Sequence, residues 1–274
     1  MGVGAERYAR GMHRLTRDEA RRIAVRAQLL DADRPGDVVE VAEQLGSIKI
    51  DPTVTIAPAE QTAFWSRIGW GYEPGQLKKA VEDDRLLFEF DGRFFASSLM
   101  PDMVALMRAR QLRAASREYL EANAAFRKDV LARLRAEGPL LASEIPDTSV
   151  VQRSNESGWY GSNQVPRMLE LLSVIGEVAV VRRENRQRVW DLAERLYGPD
   201  DGSITAEEAE ERLQQRRLHA AGIARQKSPW SEVGMAGEPA EVEGSAWKWR
   251  VDPEAIAALG DDPGGRVAIL NPYD

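Results

Sequence analysis

Apolar residues recur along the start of the chain at Ala20, Ile23, Ala24, Ala27 and Leu30. This spacing turns one face of an α-helix toward a core. Thr16 precedes the run with Glu19 three residues on, a capping box that satisfies the free N–H groups of a helix start. Asp33 and Pro35 separate this helix from a second, Val38 to Leu45, which Gly46 ends. The period then changes to two over Ile48, Lys49, Ile50 and Asp51, and Pro52 ends that strand because it has no N–H for a ladder. Helices are predicted again over Ala59 to Ile68, with Pro58 at the first turn, and over about Pro74 to Asp83. In LLFEFDGRFFASSL the alternation returns on both sides of Asp91-Gly92, a two-residue hairpin turn, so Phe88 to Phe95 read as a β-hairpin.

The same order recurs downstream. A helical region from Pro101 to about Glu137, interrupted near Ala115 and Ser116, leads into a helix over Tyr119 to Arg135 that stops at Gly138-Pro139. A short helix over Ala142 to Ile145 and a longer one over Gln164 to Ile175 follow. GEVAVVRRENRQRVWDL is then a hairpin with Val178, Val180 and Val189 inward and its turn at Arg183 to Gln187. Thr205, Glu207 and Glu208 cap a further helix through Ala221, Ser228 to Met235 is a candidate helix after it, and EPAEVEGSAWKWRV pairs two strands about Glu243-Gly244-Ser245.

Helices followed by a hairpin, three times over, predict a mainly α fold with short β-hairpins, arranged as tandem winged helix-turn-helix units. The units are expected at 13–100, 101–200 and 201–274, with 101 onward including a connector helix. No large sheet is expected: a continuous sheet of more than about five strands is incompatible with separate winged units. Residues 1–12 are glycine-rich, unpatterned and expected to be disordered.

Composition narrows the chemistry. The chain of 274 residues has no cysteine and only two histidines, His13 and His219. Thiolate catalysis, disulfides and cysteine- or histidine-rich metal sites are therefore excluded, and no cofactor is implied. No segment is apolar enough to span a bilayer and the first residues lack a signal-like apolar run, so no membrane partner and a cytoplasmic location are expected. The net charge of −7 argues against coating nucleic acid over the whole surface. Arginine is nonetheless concentrated at Arg182, Arg183, Arg186 and Arg188, four like charges in seven residues of one hairpin, a candidate phosphate-binding wing.

The candidate chemistry lies on the short strand. Its alternation puts Ile48 and Ile50 on one face and Lys49 and Asp51 on the other, fixed at their base by buried isoleucines. On spacing alone Lys49 and Asp51 read first as a solvated lysine and an ordinary Asp-Pro strand exit. The aromatic residues Phe64, Trp65, Phe88, Phe90 and Trp190 are expected in the core by their spacing. Trp159 and Tyr160, in the polar stretch SNESGWYGSN, are candidate partner contacts.

LTRDEARRIAVRAQLL, LGSIKIDP, TAFWSR, RLLFEFDG, VWDLAERL and NPYD, in this order and spacing, resemble the AlkZ-like family of winged-helix DNA glycosylases. The resemblance implies excision of alkylated bases, including crosslinked ones, from double-stranded DNA. It places Asp51 at the catalytic carboxylate position. Lys49 stands where the family has glutamine, a departure that sets a cation beside a cationic transition state, or offers an amine nucleophile. Pro58, Glu60 and Gln61 stand where the resemblance leads one to expect basic or histidine side chains, and Asp91-Gly92-Arg93 replaces a segment that in the family often ends in histidine. Arg67, at the end of TAFWSR, and Arg93, near the first hairpin tip, join the four wing arginines as candidate DNA contacts. These departures keep a noncatalytic winged-helix DNA-binding or regulatory protein open as the alternative. The ending RVAILNPYD is similar to the segment where family members pass into a further β-rich domain. The oligomeric state is not readable from the chain.

Overall fold

The structure is a computed structural model that describes residues 11–51, 56–152, 163–229, 231–261 and 264–270. Residues 1–10, Pro52, Trp159, Tyr160 and the closing NPYD lie outside the described residues. The chain opens with β1 (His13–Leu15), α1 (Arg17–Ala27), α2 (Val38–Leu45), β2 (Ile48–Lys49), α3 (Ala59–Ile68), α4 (Pro74–Glu82) and the hairpin β3 (Leu87–Phe90) and β4 (Arg93–Ala96). Next come α5 (Met100–Ala109), α6 (Ala114–Ala122), α7 (Ala124–Glu137), β5 (Leu140–Leu141), a 3-10 turn at Ala142–Glu144, α8 (Val165–Val174), and the hairpin β6 (Val178–Glu184) and β7 (Gln187–Leu192). The last third holds α9 (Ala193–Tyr197), α10 (Ala206–Ala221), β8 (Ile223–Arg225), β9 (Glu238–Val242), β10 (Trp249–Val251) and α11 (Pro253–Ala257).

Local chemistry sets these boundaries. Thr16 and Thr205 each make the reciprocal capping box with the glutamate three residues on, and Asp37 caps α2 through the N–H groups of Val39 and Glu40. At the first hairpin Asp91 and Gly92 both have positive φ, 46° and 69°, as the tight two-residue turn requires. Asn185 and Arg186 do the same at the second, with φ of 48° and 70°.

The strand order contains one motif repeated. A short strand pairs with the second strand of the hairpin that follows it: β2 with β4, β5 with β7, and β8 with β10, all antiparallel. Three helices, α2, α3 and α4, close the first core with Ile48, Ile50, Leu87 and Phe94. The second core gathers Phe126, Val130 and Leu134 of α7 and Met168, Leu169 and Leu172 of α8 against Val178, Val180 and Trp190. The third hairpin is covered from elsewhere: Leu15 of β1 and Ile23 of α1 pack with Ile223, Ala240, Val242 and Val251, and β1 runs parallel to β9 with His13 opposite Ala240.

Several expectations are corrected. The first two hairpins join through Glu89 and Val180 into one six-stranded sheet ordered β2-β4-β3-β6-β7-β5, so neither the absence of a large sheet nor the separateness of the first two expected winged units holds. The reason is that β3 and β6 each leave an edge unpaired, and the two edges satisfy one another. The helix expected over Tyr119 to Arg135 is two helices. Between them the side chain of Asn123 accepts from the N–H groups of Val150 and Val151, 2.9 and 3.1 Å, and donates to the Tyr119 carbonyl at 3.1 Å. Ser228 to Met235 forms no helix among the described residues, since Glu232 and Gly234 take positive φ of 45° and 53°. Trp65 faces solvent, 42% exposed, edge-on to Trp70, whereas Phe64, Phe88 and Trp190 are buried and Phe90 half-buried.

Candidate active site

Ile48 and Ile50 are 2% and 8% exposed within the first core, while Lys49 between them and Asp51 after them are half-buried. The Ile50 N–H donates to the Gly92 carbonyl at 2.9 Å, which prolongs the pairing beyond β2 and brings Asp51 beside the tip of the first hairpin. Lys49 lies directly opposite Arg93 across that pairing, and the Arg93 guanidinium donates to Ser47 Oγ at 3.1 Å. Like charges facing across a strand pair repel, so the two cations form a strip that favours an anion between or above them.

Glu60, in the first turn of α3, brings a second carboxyl to the same corner. The backbone N–H groups of Glu60 and Asp51 both face it, and the charges of Arg183 and Arg186 lie near it. Its Oε2 is fully buried with no hydrogen-bond partner among the described residues. Burial outweighs these favourable contacts and raises the carboxyl above its ordinary pKa. Next to it the Tyr72 hydroxyl donates to Gln61 Oε1 at 2.6 Å, and burial, with Glu60 adding to it, pushes that hydroxyl's pKa up.

The second hairpin is partly turned inward. Arg183 donates from Nε and Nη2 to the two oxygens of Glu89, 2.7 Å each, and Arg188 Nε donates to Glu89 Oε1 at 3.0 Å. Glu89 is 3% exposed, so two arginines neutralise one buried carboxylate at the seam of the two hairpins. Arg182 pairs with Glu184 at 2.7 Å on the surface, and Arg186 stands exposed at the turn. Arg67 does not fit a DNA contact: it is 1% exposed and donates to the Gln28 carbonyl at 3.2 Å and to Ser66 Oγ at 2.9 Å. The carbonyl of Gln28 at the end of α1 and the Ser66 hydroxyl take up its donors.

Glu89 and Glu60 were not singled out as partners by sequence reasoning. A lone glutamate inside the apolar strand LLFEF was the available signal for the first, since a carboxylate there needs a cation. For a metal, His219, Asp252 and Glu254 are grouped closely enough to share an ion. Their contacts are already hydrogen bonds: His219 Nδ1 lies 2.7 Å from Asp252 Oδ2, Nε2 lies 3.0 Å from Gln44 Oε1, and Asp252 caps α11. No helix of the described residues is long and apolar enough to cross a membrane.

A family model described as DNA glycosylase AlkZ-like matches residues 42–274. Among solved structures, the Streptomyces sahachiroi DNA glycosylase AlkZ is similar over 89% of this chain and 71% of that chain, with a TM-score of 0.55 and 14% sequence identity. No curated protein matches the sequence.

Proposed function

The chain belongs to the AlkZ-like DNA glycosylase family, and on that premise we propose that it hydrolyses the N-glycosidic bond of alkylated or crosslinked bases in duplex DNA. The observation that carries this reading is the turn of the Ile48–Asp51 segment. Its isoleucines are buried in a core, so Asp51, the residue after Ile50, is held beside the corner where β2, α3 and the two hairpins converge. The short-strand and hairpin motif recurs three times, and its first two copies are fused through one six-stranded sheet, which supports a single joined surface facing a duplex.

In this reaction the bond between the sugar C1′ and the base nitrogen breaks before water is fully bonded, so positive charge develops on the sugar. The Asp51 carboxylate faces that charge, and it accepts the proton of the attacking water as the hydroxyl adds to C1′. Lys49, on the same face, opposes the developing cation and with Arg93 holds DNA phosphate. Arg182 and Arg186 extend the phosphate track along the second hairpin, with Arg183 and Arg188 held behind them on Glu89.

The test is abasic-site formation. The protein is incubated with a duplex carrying a single alkylated purine, and alkali then cuts any abasic site that has formed. Strand breaks that appear with the parent and fade with Asp51→Asn support the reading. If neither the parent nor Lys49→Gln releases a base from any alkylated duplex while both still bind DNA, the protein binds without catalysis.

A further inference from the structure

The third hairpin carries aromatic and basic residues that the first two do not share. Its turn leads into Trp247, Lys248 and Trp249, and β8 runs alongside with Arg225 directly opposite Trp249. We propose that this hairpin holds a site for one unpaired nucleotide of DNA, the base stacking on Trp247 and the phosphate taken by Arg225. The site rests on the DNA-binding part of the proposed function and is independent of base release.

Arg225 is set up for an anion. Its guanidinium lies over both indoles, 4.8 Å from the ring centre of Trp247 and 5.7 Å from that of Trp249. Trp249 is fixed in turn, because its Nε1–H donates to Ser245 Oγ at 3.0 Å and the Ser245 N–H donates to the Val242 carbonyl at 3.0 Å. Contact with a ring uses the face of a guanidinium and leaves its edge, where the N–H donors lie. Among the described residues that edge meets no carboxylate and donates no hydrogen bond. A planar fork of open donors, held in one orientation, matches two oxygens of a phosphate at once.

Trp247 is set up for a base. It is 56% exposed, against 4% for Trp190 of the second hairpin, so it fills no core. Its backbone N–H donates to Ser245 Oγ at 3.3 Å, which ties it to the same turn. It borders a cleft of about 900 Å³ backed by Leu15, Ala240 and Val242, ample room for a nucleotide. Local charge suits a polyanion although the chain as a whole carries −7. The Gln226 N–H donates to the Lys248 carbonyl at 2.9 Å and brings Lys227 and Lys248, both exposed, to the edge that carries Arg225. Of the two carboxylates on the cleft, Glu241 is paired with Arg14 at 3.6 Å and Glu243 is the remaining acid. A base within duplex DNA has its faces covered by its neighbours, so stacking on an indole selects a nucleotide at a bulge, a gap or a single strand. An acidic peptide would meet the cations but has no ring for Trp247.

The test compares two labelled, undamaged duplexes that differ only in one bulged thymidine, with the whole chain titrated by fluorescence anisotropy. The bulged duplex should bind about tenfold tighter, the order expected from one base–aromatic stack. Trp247→Ala and Arg225→Ala should each erase most of that difference with affinity for the paired duplex little changed, and Trp247→Phe should retain it. With 5-iodouracil in the bulge, long-wavelength light should crosslink the DNA to Trp247, which peptide mapping identifies.

Equal affinity for the two duplexes, a preference that survives Trp247→Ala, or a crosslink that maps elsewhere would each overturn the site. Polyglutamate that displaces the bulged duplex, with Arg225 required and Trp247 dispensable, would assign the surface to an acidic peptide instead. Failure to bind any duplex would overturn this site and the proposed function together. Asp51→Asn should keep the preference, and a parent that shows it without releasing bases would count against the catalytic reading alone.

Discussion

Arg183 forks onto Glu89, Nε to one carboxylate oxygen and Nη2 to the other at 2.7 Å each, across the line where two hairpins become one sheet. The pairing joins residues 94 positions apart and is completed by Arg188. Glu89→Ala should therefore leave Arg183 without its carboxylate and Arg188 with only its 3.5 Å pair to Glu170, at a half-buried seam. Breaking a buried ion pair on one side costs ~3–5 kcal/mol, and the partial exposure of both arginines reduces this to about 2–3 kcal/mol. Urea unfolding monitored by tryptophan fluorescence measures it; a midpoint within error of the parent would show that the seam contributes no stability.

The arginines divide into two groups with different expected phenotypes. Replacing Arg93, Arg182 and Arg186 together by alanine should weaken duplex binding irrespective of sequence, and the slope of log affinity against log salt should fall by about 0.9 for every phosphate no longer neutralised. Arg67→Ala, by contrast, should lower stability and leave that slope alone, since the guanidinium is buried against carbonyl and hydroxyl oxygens. Fluorescence anisotropy across a salt series reads both.

Asp51→Asn should preserve fold and DNA affinity while slowing base release by about two to four orders of magnitude, the usual range for losing a carboxylate that meets transition-state charge. Lys49→Gln removes the opposing cation and should release alkylated bases at least as fast as the parent. Loss of borohydride trapping in that variant, with the parent trapped, would instead make Lys49 the nucleophile.

Glu60 also links stability to pH. Its folded carboxyl has a raised pKa because burial disfavours the charge. Its contribution to stability is therefore fully present below the unfolded pKa and is lost as pH rises through the folded value. Glu60→Gln, which never ionises, should melt higher than the parent at about pH 8, and the gap should narrow on acidification toward about pH 4. Melting curves at several pH values check this; a gap that widens on acidification would reverse the assignment.

Duplex-dependent protection offers a further check on the cationic strip. Lys49 and Arg93 face one another across the β2–β4 pairing, so Arg93→Glu should both relieve their repulsion and repel phosphate. Stability should rise by about 0.2–1 kcal/mol while DNA affinity falls. A rise in affinity would remove the strip from the interface.

What the sequence determined by itself is local. The capping boxes at Thr16 and Thr205, the helix Val38 to Leu45, the turn at Asp91-Gly92, and the inward face of Ile48 and Ile50 all depend on residues within a few positions of one another. Each is decided by caps, glycine conformations and hydrophobic period, which a short window contains. Tertiary structure decided what those windows cannot hold. Hairpin edges met at Glu89 and Val180, and Glu89 claimed Arg183 and Arg188. Arg67 was buried against the Gln28 carbonyl at the end of α1, 39 positions away. The third hairpin took β1 and α1 from the far end of the chain in place of a helix at Ser228 to Met235. An edge strand pairs with whichever edge the packing brings near, and a charged side chain's partner is set by distance in space, so neither is encoded by spacing along the chain.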